Sequence, residues 1–203
     1  MCCPRHAHAL RPFTLRDWLR PIEFDALVSA SPLHIAFQLH LLVGTGMKPT
    51  ELFALRWDAI DFEHNLIGTS HEVIVVMRPH VRSIVKLMPR GASDHVVLTP
   101  CGKPYASKTR SGGQNKSGLY RVRARAGLPD FTLGYLESTF AVWHLALHSD
   151  RARLKIESGW STYRLRRHDN VRAEELDIVR EQLLRLRDKK SGILSAGLFA
   201  LEE

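Results

Sequence analysis

Cysteine is scarce in this chain: three residues in 203, Cys2, Cys3 and Cys101. An odd number at no metal-like spacing argues against a disulfide framework and against a zinc site, and fits incidental thiols in a reducing compartment. No apolar run approaches the roughly 20 residues that span a bilayer. The opening MCCPRHAHALRPF lacks the apolar stretch of a secretory signal. These absences indicate a cytoplasmic chain with no membrane partner. Acid is also missing from one long segment, since residues 101–129 contain seven Lys and Arg and no Asp or Glu.

Hydrophobic residues make up 44% of the chain and charged ones 25%, which suits one domain with a real core. The formal net charge of +8 is unevenly spread. Residues 1–100 carry 10 basic and 9 acidic side chains, residues 101–172 carry 14 and 5, and residues 173–203 carry 5 and 7. The middle third therefore holds the whole excess. Its Ser/Gly-rich stretch with Lys103, Lys108, Arg110 and Lys116 runs into a helix bearing Arg121, Arg123 and Arg125. Such a surface suits a phosphate backbone, because several cation contacts release counterions and give sequence-independent affinity.

Pro21 can open a short amphipathic helix at Ile22, and residues 33–43 (LHIAFQLHLLV) are apolar nearly all round, as in a buried helix. Gly44, Thr45 and Gly46 make a turn, and Pro49 starts a short helix through Trp57. The apolar runs Ile74–Met77 and Ile84–Met88 flank Arg78-Pro79-His80 as a hairpin would, with His95–Thr99 as a third strand. Residues 117–126 and 138–147 read as helices. Leu176, Val179, Leu183 and Leu186 line one face of a last one, and Gly192–Glu203 reads as a loose tail. The expected fold class is α+β, mainly helical with a small three-stranded antiparallel sheet.

Three blocks carry a resemblance. Gly44–Asp61, GTGMKPTELFALRWDAID, resembles the TGxRxxELxxLxWxDID block of the tyrosine recombinases, the phage-integrase family. GLPDFTLGYLESTFAVW resembles that family's fxxHDLRHTFA segment, and GWSTYRLRRHDNV resembles GHxxxxxxxRYxxV. The likeness runs in order over roughly residues 15–188. It implies an N-terminal arm at 1–14, an integrase-type catalytic-like domain at 15–188, a tail at 189–203 and no core-binding domain. It also implies DNA integration and site-specific recombination on double-stranded DNA, a bacterial mobile element with nucleoid association, a homo- or hetero-oligomer with recombinase protomers, and neither metal nor other cofactor.

In that family a tyrosine attacks the scissile phosphate, two arginines and a His or Trp clamp it, and a lysine from a β-hairpin turn, matched here by the hairpin at 74–88, protonates the leaving oxygen. Cations are needed because negative charge builds on the phosphoryl oxygens. Here the first arginine position holds Lys48, the HxxR histidine position Gly134 and its arginine position Glu137. Trp160 stands where the family has GH, a tolerated variant. The nucleophile position falls on His168 by the RRHDNV alignment, or on Asp169 counted strictly from Trp160; Tyr163 comes five residues too early. Arg78 or Arg82 takes the lysine position but fits a DNA contact better, since a guanidinium does not release its proton. Two unit charges about 4 Å apart interact by roughly 4 kcal/mol at an effective dielectric near 20, so Glu137 in place of a clamp arginine, repulsion for attraction, is a swing of order 8 kcal/mol. The expectation is a DNA-binding pseudoenzyme with impaired cleavage, or a non-catalytic partner of an active recombinase. His34, His40, His144 and His148 sit in apolar helical stretches and read as core or surface residues, the i, i+4 pair His144/His148 included.

Overall fold

Pro21 opens the first helix at the position where a missing N–H costs nothing and a fixed φ is already helical. The Arg20 N–H before it donates to Glu23 Oε2 at 2.7 Å, so an acid of the first turn satisfies a group the helix leaves open. The computed structural model describes residues 16–69, 74–105, 116–166, 168 and 171–188. Among them the helices are α1 (Pro21–Ser29), α2 (Leu33–Thr45), α3 (Pro49–Ala54), α4 (Pro79–Leu87), α5 (Lys116–Arg125), α6 (Tyr135–His148), α7 (Arg151–Ser158), α8 (Thr162–Arg166) and α9 (Ala173–Asp188). No described helix is long and apolar enough to cross a membrane.

Helix α2 is the hub. Every residue from Ile35 to Thr45 is buried, and the helix packs against α1, α3, α4 and α6. A helix apolar on all sides needs such neighbours on all sides. Two long-range hydrogen bonds pin the segment before α1 to α6: Trp143 Nε1 donates to the Leu19 carbonyl at 2.8 Å, and the Leu19 N–H donates to Thr139 Oγ1 at 2.9 Å. Helix α9 covers α1 and α6 with Val179 and Leu183, and Arg180 Nε donates to the Ala146 carbonyl near the end of α6.

The sheet has the expected size, and of the expected strands only the run from Ile74 is in it. β1 (Ile60–Asp61), β2 (Leu66–Gly68) and β3 (Ile74–Val76) pair antiparallel in that order, with Ile60 opposite Ile67 and Ile67 opposite Val75. Those three side chains are buried and form one inward row, as the two-residue period of a strand requires. The hairpin expected over Ile74–Met88 is therefore corrected. Residues 79–87 are α4, not a strand. Pro79 sits at its first position, His80, Val81, Ile84 and Val85 are buried, and Ser83 and Lys86 point outward, which is a 3.6-residue period. The β2–β3 connection is residues 69–73, of which 70–73 lie outside the described residues. His95–Thr99 contributes isolated bridges, Arg56 to His95 and Leu98 to Pro104, and no third strand. The tail from Gly192 also lies outside the described residues.

One glycine is fixed by both conformation and contact. Gly46 ends α2 at φ +67°, and a Cβ there would lie 2.8 Å from Phe140 Cε1 and 2.9 Å from Trp160 Cζ2. Gly46→Ala combines left-handed strain with overpacking and should cost about 2–4 kcal/mol. Urea denaturation measures this, and an unchanged midpoint would contradict the close approach.

Candidate functional site

The turn from α2 into α3 carries the first cation. Lys48 precedes Pro49 with its side chain exposed, and its N–H donates to Oε2 of buried Glu51 at 2.7 Å. Glu51 therefore serves the turn itself, capping a helix whose proline has already removed one open donor. Gly134 stands exposed just before α6, and Glu137 lies in the first turn of that helix. Trp160 follows the left-handed Gly159 that ends α7; it is buried, with Phe140 at a ring separation of 5.6 Å. Buried His168 lies tilted against Trp160 at 5.8 Å.

The structure joins these through a residue that the sequence reading did not single out. Arg164 of α8 turns inward: its Nε donates to Glu137 Oε1 at 2.7 Å, its Nη2 donates to the Gly46 carbonyl at 2.8 Å, and its guanidinium lies 4.1 Å from the Trp160 ring centroid. Each partner of the ion pair is 14% exposed. The swing of order 8 kcal/mol expected from Glu137 assumed an unpaired carboxylate, so it is corrected: the charge is matched inside the molecule. No local signal in the sequence marked it, since Trp160 precedes α8 and Glu137 lies 27 residues away on α6. Its neighbour Tyr163 is 80% exposed, on the solvent side of α8.

Arg78 and Arg82 do not belong to this cluster, nor to a hairpin tip. Arg78 precedes α4 and bonds Glu157 through Nε (3.1 Å) and Nη2. Arg82 donates to the Phe62 carbonyl at 2.7 Å and to Asn65 Oδ1, bracing the β1–β2 turn. Of the residues expected on DNA, Lys103, Arg121 and Arg125 are exposed, whereas Arg123 is held by the Phe131 carbonyl at 3.0 Å and lies over the Tyr120 ring. Lys116 begins α5, and Lys108, Arg110 and Asp169 lie outside the described residues. Among the described residues no group of three or more His, Cys, Asp or Glu could hold a metal ion. His144 is bonded to Glu157 at 3.2 Å and packs against His148. A surface cavity of about 360 Å³, lined by Arg56, Trp57, Asp58, Arg90 and Asp94 among others, shares no residue with the cluster.

Chemically, the cluster sets a guanidinium and a carboxylate beside an indole and an imidazole, with exposed Lys48 two residues beyond the Gly46 carbonyl that Arg164 also holds, and a guanidinium so held can receive an anion. The architecture is that of a tyrosine-recombinase catalytic domain: a mainly helical body with a small antiparallel sheet, the site falling where α2, α6 and α8 meet. Two solved structures share it. XerA recombinase superimposes with a TM-score of 0.65 at 17% identity, over 86% of this chain and 65% of that one. Lambda integrase bound to DNA superimposes with a TM-score of 0.57 at 18% identity, over 79% of this chain and 64% of that one. The chain thus spans a little under two thirds of each. No family model matches it, and no curated protein does.

Proposed function

We propose that the protein binds duplex DNA in the manner of a tyrosine recombinase but does not cleave it. What carries the reading is the exposed set Lys103, Arg121 and Arg125 in the acid-free segment, on a fold shared with an integrase solved on DNA. Arg121 and Arg125 stand four residues apart on α5, hence on one face of the helix. Loss of cleavage follows from chemistry: the nucleophile position holds His168 or Asp169, and Lys48 replaces an arginine whose planar fork it cannot reproduce.

Fluorescence anisotropy with a labelled duplex tests the binding. Affinity should fall steeply with salt, and Arg121→Ala with Arg125→Ala should flatten the slope of log K against log salt by about 2. Absence of binding at about 50 mM salt, or binding indifferent to salt, would refute it. A nicked suicide duplex should trap no covalent adduct; an adduct that disappears in His168→Ala would show residual cleavage.

A second role, as a non-catalytic partner of an active recombinase, is favoured by Ile156 and Tyr163, exposed on the successive helices α7 and α8. Co-purification with an active recombinase that is lost in Ile156→Asp would support it.

A further inference from the structure

Arg164 is held on three sides, yet none of the three is a bidentate carboxylate. One edge of its guanidinium is divided between a single oxygen of Glu137 and the Gly46 carbonyl, and the Trp160 ring fixes its plane. The Nη1 amino group makes no hydrogen bond among the described residues. The guanidinium therefore keeps donors in hand, already oriented. Arginine is suited to this because its five N–H groups match two oxygens of one phosphate side by side.

The ion pair itself is a poor source of stability. Both groups are largely withdrawn from water, and the desolvation of such a pair cancels most of its attraction. An incoming anion can replace Glu137 without leaving Arg164 uncompensated. The displaced carboxylate would not be stranded either, because it sits in the first turn of α6, where the helix dipole favours negative charge. Exposed Lys48 stands two residues beyond the Gly46 carbonyl and adds a second cation at the same turn.

We propose that Arg164 is a contact for a DNA backbone phosphate that Glu137 holds in reserve, the carboxylate occupying the guanidinium until a phosphodiester takes its place. This rests on the duplex-DNA reading above. The Glu137–Arg164 pair is then an autoinhibitory contact that limits affinity, and weakening it adds a phosphate contact.

The test measures the affinity of the full chain for a labelled duplex, across a salt series, in wild type, Glu137→Gln, Glu137→Asp and Glu137→Gln/Arg164→Gln. Glu137→Gln should bind roughly three- to ten-fold tighter, with a salt slope steeper by about 1, and Glu137→Asp should show a smaller gain of the same sign. The aspartate keeps the charge and only draws the carboxylate back, so its gain cannot be a general field effect. It also keeps the proposal testable should Glu137→Gln fail to fold. In the double variant the gain should vanish. Wild-type binding with no gain in either Glu137 variant would overturn the reserve contact alone, as would a gain that survives in the double variant. Absence of DNA binding by the wild type would overturn the parent reading and this one together.

Discussion

Two buried histidines should together remove about 4 kcal/mol of folding stability on moving from pH 7 to pH 5. His40 of α2 has neither ring nitrogen hydrogen-bonded, and burial lowers its pKa from 6.5 to about 4. His80, in the first turn of α4, is lowered to about 3 by burial, then by the Arg78 charge and by His40. The positive end of α4 opposes its protonation as well. In the unfolded chain both titrate near 6.5, so below that pH the unfolded state takes up protons that the folded state refuses. Stability is therefore full above about pH 6.5 and is lost as pH falls toward the folded values, by about 2 kcal/mol per histidine at pH 5. Urea midpoints at pH 7 and pH 5 check this, and His40→Leu should remove about half of the difference. Equal stability at the two pH values would mean that one or both rings are hydrated or charged in the fold.

That acid sensitivity was not legible in the sequence, and the reason generalises to the site. The sequence placed His40 in an apolar helix but did not say that its ring would meet Phe24 edge-on at 5.4 Å. Elements with local causes were legible: Pro21 and Pro49 mark helix starts, and the all-apolar run after Leu33 marks the central helix. Helix α4 shows how a local cue misleads. The apolar runs at 74–77 and 84–88 resemble paired strands when taken alone. Arg82 and Lys86 four residues apart, with Pro79 ahead of them, already carried the helical period. The cluster around Trp160 was half legible. Positions 48, 137, 160 and 168 come from motif blocks that the fold brings together, whereas Arg164 has meaning only through Glu137, 27 residues away. A carboxylate where the resemblance expects a cation looks like damage until its partner is seen, because pairing across elements leaves no local trace.

Glu157→Ala should destabilise the protein by about 3–5 kcal/mol. The Glu157 carboxylate joins three helices: Oε2 accepts from Arg78 before α4 and lies 3.2 Å from His144 Nε2 of α6, and Oε1 accepts from Arg153 of α7 at 2.5 Å. Burial pushes its carboxyl up, but hydrogen bonds from His144, Arg153 and Arg78 outweigh that and hold it well below the ordinary range. Its contribution is therefore present above about pH 4.5 and fades only as pH falls toward the depressed value. Arg78 and Glu157 are 13% and 15% exposed, so removing the carboxylate leaves a guanidinium charge beside the Phe140 ring with little water to solvate it. Arg153 is 42% exposed, and Arg153→Ala should cost under about 1 kcal/mol, since the carboxylate keeps Arg78. The contrast between the two variants separates the loss of a buried carboxylate from the loss of a surface ion pair. Replacing both members with apolar groups, Glu157→Leu with Arg78→Met, should recover most of the Glu157→Ala loss, because the cost lies in a guanidinium charge withdrawn from water and not in the missing attraction. Strict additivity of the two single losses, read from urea midpoints, would show that Glu157 acts through its other partners instead.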